Sequence, residues 1–67
     1  MKKLYEIPRE SILYADFDDG STYIIFKRLD GMYSVCITEK GTLLHLSANT
    51  ALEPISQTEY IIVSTKP

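Results

Sequence analysis

Residues 18–41 read DDGSTYIIFKRLDGMYSVCITEKG. Three glycines punctuate the stretch, each closing a polar pair: Asp19-Gly20, Asp30-Gly31 and Lys40-Gly41. Between them lie runs rich in Tyr, Ile, Phe, Val and Thr. Asp-Gly flanked by such runs is a strong hairpin signal, because a two-residue type I′ turn needs positive φ at both central positions. Glycine supplies it without steric cost and Asp tolerates it. Three such reversals specify an antiparallel meander and assign each residue to a face.

With each pair read as a two-residue loop, Glu39 faces Thr42, Ile37 faces Leu44 and Cys36 faces His45. Around Asp30-Gly31, Leu29 faces Met32, Phe26 faces Val35 and Ile24 faces Ile37. Around Asp19-Gly20, Phe17 faces Thr22, Ala15 faces Ile24, Tyr14 faces Ile25 and Leu13 faces Phe26. Opposed side chains share a face, and faces alternate along a strand. One face then collects Leu13, Ala15, Phe17, Ile24, Phe26, Val35, Ile37, Leu44 and Leu46, the expected core. The other collects Ile12, Tyr14, Asp16, Tyr23, Ile25, Lys27, Ser34, Cys36, Thr38, Leu43 and His45, a mixed face. A one-residue slip would exchange the two sets on a strand, and a three-residue loop with a bulge at a glycine produces such a slip.

The expected strands are 11–18, 21–29, 32–39, 42–47 and 59–65, with a short edge strand over 3–7 ended by Pro8. Thr50 stands three residues before Glu53, a capping-box spacing, and Pro54 limits the segment to one 3₁₀ or α turn. The fold class is all-β, a five- to six-stranded antiparallel meander with one helical turn before the last strand. That order resembles the SH3-like small barrels, the architecture of Tudor, KOW and Sm domains. The resemblance implies a partly open barrel and no particular function. An open sheet whose second face is covered by a partner subunit is the alternative. The run Asp30-Gly31-Met32-Tyr33-Ser34-Val35-Cys36, with His45-Leu46-Ser47-Ala48-Asn49-Thr50, resembles small accessory proteins of tailed bacteriophages. This implies a virus-encoded protein that binds a host target.

Sixty-seven residues make one small domain, 1–67. Such a chain buries roughly 60% of its unfolded surface, and its core supplies only about 3–5 kcal/mol of net stability. A hydrophobic content of 45% with 24% charged residues suits a globular protein and not a disordered one. The net charge of −2 lacks the basic surplus usual in nucleic-acid modules. One cysteine forms no intrachain disulfide, so a cytoplasmic protein is expected. Glu6, Pro8, Arg9 and Glu10 interrupt any signal-peptide core, and no stretch approaches a membrane span.

Candidate sites follow from the register. Cys36 beside His45 is the start of a nucleophile or a zinc site, but no third ligand, orienting group or second Cys or His accompanies it. Asp16, Asp18, Asp19 and Gly20 depart from a calcium loop, whose Gly belongs at the sixth position and whose Glu belongs at the twelfth. No catalytic, cofactor or metal residue is therefore assigned. Arg28 and Tyr33 are expected as cross-strand neighbours on the core side. The remaining candidate is an interaction surface of Tyr14, Tyr23, Ile25, Cys36 and His45, an apolar-aromatic stripe across four strands. Two readings stand open: an interface for a protein partner or a second copy, or a stripe covered by residues 3–7 or the last strand. Protonation of His45 would charge the stripe. Nucleic-acid binding, with Tyr5, Tyr14, Tyr23 and Tyr33 stacking bases and Lys27 and Arg28 at phosphates, is the alternative function, disfavoured by the acidic balance.

Overall fold

A computed structural model describes residues 1–17 and 20–63, with only the backbone described at 16, 17, 20 and 21. It is an all-β chain. The described residues form seven strands: β1 Lys2–Lys3, β2 Ile12–Phe17, β3 Gly20–Asp30, β4 Tyr33–Thr38, β5 Leu43–Leu44, β6 Ala51–Pro54 and β7 Glu59–Ile62. They lie in one open sheet in the order β1-β6-β7-β2-β3-β4-β5. The meander β2 to β5 is antiparallel, as the reversals require, but β7 returns to pair with β2 in parallel, so the sheet is mixed. A flat single sheet packed on one side would be a slab. The extents of 29 × 26 × 25 Å are nearly equal, so this sheet wraps around its own core.

The expected two-residue loops are corrected at all three glycines. Phe17 pairs with Gly20, which is therefore a strand residue. Asp18 and Asp19, on which the first turn and the calcium-loop comparison rest, lie outside the described residues. The β2–β3 register moves by two residues, so Leu13 faces Ile24 and Tyr14 faces Tyr23. A shift of two leaves every side chain on its expected face. The second loop is Gly31-Met32, between Asp30 and Tyr33. Only its first residue has positive φ (63°), the requirement of a type II′ turn.

Two further irregularities change faces by one residue. Between Phe26 and Arg28 the β3–β4 register shifts, leaving Lys27 as an extra residue, so Phe26 faces Cys36 while Arg28 faces Val35. The third loop has three residues, Glu39-Lys40-Gly41. The Gly41 amide donates to the Thr38 carbonyl at 2.9 Å, and Gly41 itself holds φ 84°. This is a turn followed by a left-handed residue. Cys36 consequently faces Leu44, not His45.

Ser34 and Cys36 therefore point inward, and Val35 and Ile37 point outward, the reverse of expectation. The second one-residue shift cancels the first. Leu44 and Leu46 return to the core side, where they pack against the buried set. That set is Leu4, Ile7, Leu13, Ala15, Ile24, Phe26, Cys36, Leu52 and Tyr60. Phe17, also expected in the core, has no described side chain. Arg28 and Tyr33 are not neighbours: Tyr33 faces Asp30, and both are exposed.

The helical turn stands near the start of the chain and not before the last strand. Leu4–Glu6 forms one 3₁₀ turn, with the Lys3 amide donating to the Glu6 carboxylate at 2.7 Å. Pro8 prevents its continuation. Residues 47–50 form a tight turn instead. The Thr50 hydroxyl caps the Ser47 carbonyl at 2.6 Å, and Glu53 is extended in β6. The Leu4 and Tyr5 amides donate to the Thr50 and Ala48 carbonyls, tying this end of the chain to the connection between β5 and β6.

Candidate interaction surface

The outer face is built from cross-strand pairs. Ile12 of β2 faces Ile25 of β3, Ile25 faces Ile37 of β4, and Ile37 faces Leu43 of β5. Four aliphatic side chains thus run in one row across four strands. Each inner member is half-buried by its neighbours, and Leu43 at the end is 60% exposed. Beside this row, Ile61 of β7 faces Tyr14, and Tyr14 faces Tyr23. Tyr14, Tyr23 and Ile61 are all exposed. Directly opposed aromatic and β-branched pairs are the strongest units of a sheet surface.

The polar groups are placed around the rows. The Tyr14 hydroxyl donates to the Glu59 carboxylate at 3.0 Å. That carboxylate holds the phenol in its protonated form and pushes its pKa up. The Ser56 hydroxyl donates to the other Glu59 oxygen at 3.1 Å. On the opposite side of the aliphatic row, Lys27 and Glu10 form an ion pair of 2.8 Å across β3 and the lead-in to β2. Glu10 holds φ 71°, a left-handed conformation uncommon outside glycine. Its amide donates to the Phe26 carbonyl, which seats it as a bulge against Phe26. The Thr22 hydroxyl donates to Glu39 at the far sheet end.

Of the five residues expected on this surface, Tyr14, Tyr23 and Ile25 share it. His45 is exposed beside Leu44, with its Nδ1 3.1 Å from the Ser34 carbonyl. The carbonyl can only accept, so Nδ1 is the donor in this contact. Cys36 is not on the surface. It is wholly buried, 3.3 Å from the Ser34 hydroxyl, and burial pushes its thiol pKa up. A thiol so placed is a poor nucleophile, which removes the pairing that a Cys-His site needed.

Register reasoning missed Ile37 and Ile61 and passed over Ile12 and Leu43 as anchors. The Lys27 bulge that turned Ile37 outward has no signature in the local sequence. Tyr5 and Tyr33, expected beside Tyr14 and Tyr23 as base-stacking groups, sit on the 3₁₀ turn and near the β3–β4 tip. Lys27, expected at a phosphate, has its charge matched by Glu10. Among the described residues, no three metal-capable side chains come together, and no helix is long and apolar enough to cross a membrane. Comparison of the chain with protein families, with curated proteins and with solved structures returns no match.

Proposed function

We propose that this chain is a non-enzymatic protein-interaction module whose working surface is the outer sheet face. The observation that carries this reading is the row Ile12, Ile25, Ile37 and Leu43, flanked by Tyr14, Tyr23 and Ile61. A small domain that has already used its other face as a core has no structural need for a second apolar face. A contiguous apolar patch whose members Tyr14, Tyr23, Leu43 and Ile61 are exposed marks an interaction site. The bulge at Lys27 strengthens the reading, since it sends Ile37 outward and brings Cys36 in.

The accompanying architectural proposal is a partly open SH3-like barrel. The antiparallel meander β2 to β5 and the later return of the chain to β2 support it, while the parallel sense of that return weighs against it. A phage-encoded accessory protein acting on a bacterial host protein, in the cytoplasm, is the setting that the sequence likeness suggests.

A photo-crosslinking amino acid in place of Tyr23, compared with one in place of Lys2, tests the surface. Adducts from position 23 and none from position 2, in the pure protein or in bacterial extract, are expected. No protein adduct from position 23 in either setting would reject the reading.

A further inference from the structure

The outer face is chemically matched across the line between β2 and β3. Ile12 stands opposite Ile25 and Tyr14 opposite Tyr23, identical residues on the two sides of that line. Beyond the Ile12–Ile25 pair, the side chains of Glu10, which is bulged against Phe26, and Lys27 meet as acid and base. The pairing is therefore like with like where the residues are apolar or aromatic, and opposite where they are charged.

We propose that the occupant of this face is a second copy of the chain, related by a two-fold axis lying along that line. The inference rests on the interaction reading above and names its partner. Rotation about such an axis lays β2 of one copy over β3 of the other. Ile12 then meets the partner's Ile25, Tyr14 meets the partner's Tyr23, and Glu10 meets the partner's Lys27, each contact occurring twice. An isologous interface must be self-complementary, and a patch with this symmetry is so without rearrangement. Shifting the axis to β3 and β4 keeps Ile25 opposite Ile37 but superposes Arg28 and Val35, and shifting it to β2 and β7 superposes Tyr14 and Ile61. The strands of the two sheets run nearly aligned, the usual arrangement of a β-sandwich.

The carboxylate that the contact would dehydrate, Glu59, already accepts two hydroxyl hydrogen bonds. Those bonds offset part of its desolvation.

Charge reversal at the matched row tests the axis. The side chains of Lys27 and Glu10 are 38% and 64% exposed, so reversal leaves the core untouched. Sedimentation equilibrium of the pure chain, from dilute to millimolar, is expected to show a monomer–dimer equilibrium. Lys27→Glu alone and Glu10→Lys alone should each weaken it about tenfold, because each homodimer places like charges together at two contacts. Mixing the two variants should restore dimerisation as a heterodimer, although each chain still carries its own internal like-charge pair. A purely structural role for the Glu10–Lys27 ion pair would not produce that rescue.

A chain monomeric at millimolar concentration would overturn the proposal, and so would a dimer with no rescue on mixing. If the pure chain is monomeric while position 23 still crosslinks to other proteins in extract, the second-copy inference fails and the interaction reading survives.

Discussion

Ile24 and Ile25 are adjacent residues of β3 with the same side chain. Ile24 is fully buried, paired with Leu13 on the inner face, whereas Ile25 is half-buried between Ile12 and Ile37 on the outer face. The inner face is closed by Leu4, Ile7, Leu52 and Tyr60, which reach it from other strands and from the 3₁₀ turn. The outer face gets no comparable cover from the described residues. Hydrophobicity therefore does not decide which side becomes core. The chain's other elements decide it, by covering one side and leaving the other partly in water.

The two isoleucines give the most direct way to break this comparison. Ile24→Ala should cost about 2–5 kcal/mol, the usual range for a fully buried aliphatic truncated to alanine. A domain with a total of about 3–5 kcal/mol would then be largely unfolded. Ile25→Ala should cost less, about 1–2 kcal/mol in the monomer, since part of its side chain stays in water after folding. Urea unfolding of dilute protein measures both. Equal losses would mean that the outer face is a second core.

The reversal at Gly31 provides the next effect in size. Gly31 holds φ 63° at the first position of its loop. Gly31→Ala should cost about 1–2 kcal/mol, the penalty of a β-carbon in the left-handed region. The space around the site is open, so the loss comes from backbone strain and not from a clash. A neutral result in urea unfolding would mean that the β3–β4 tip adopts another turn, and with it another assignment of faces on β4.

How far the faces could be read from the sequence follows from such irregularities. On β2 and β3 the register is displaced by two residues, which the alternation cannot detect and does not need to. Leu13, Ala15, Ile24 and Phe26 are inside as expected, and Ile12, Tyr14, Tyr23 and Ile25 are on the opposite face. On β4 the alternation Ser34-Val35-Cys36-Ile37 favours Val35 and Ile37 as core by hydrophobicity. The bulge at Lys27 overrules it. Small Ser34 and Cys36 suit the concave side of a tightly wrapped sheet, with the Ser34 hydroxyl satisfied by the Leu46 carbonyl at 3.0 Å. The bulge depends on how β3 pairs with β4 across the hairpin, so no signal within β3 alone announces it. The same reason hid the 47–54 segment: its strand β6 exists because β1 and β7 flank it, and the capping-box spacing carries no weight against two ladders.

Glu10 sharpens the comparison from the opposite direction to Gly31. It holds a left-handed φ of 71° that a glycine would adopt freely. Glu10→Gly relieves that strain but loses the exposed ion pair to Lys27, worth at most about 1 kcal/mol. A net gain of about 0.5–1 kcal/mol in monomer stability is expected from thermal or urea unfolding, together with weaker self-association. A residue that costs the monomer stability while helping the pair is what an interface position should look like. Loss of monomer stability in this variant would place the importance of Glu10 in the fold itself.

The smallest expected effect concerns the residue that changed sides. Burial raises the Cys36 thiol pKa in the folded chain, with the Ser34 contact acting in the opposite, lesser sense. A group whose folded pKa is raised contributes stability that is complete below its unfolded pKa, about 8.5 for a thiol, and that is lost as pH rises through the folded value. Wild type should therefore be more stable than Cys36→Ala at pH 7, and the gap between them should narrow above pH ~8.5. Urea titrations of both proteins on either side of that point give the difference, with the titrations of other groups largely cancelling in the subtraction. In parallel, a thiol reagent at pH 8 should modify wild type only as fast as it opens. A gap independent of pH, or immediate thiol modification, would put Cys36 on the water side of β4 and return Val35 and Ile37 to the core. The aliphatic row would then lose Ile37, and the outer face would lose the continuity on which its proposed role as an interface depends.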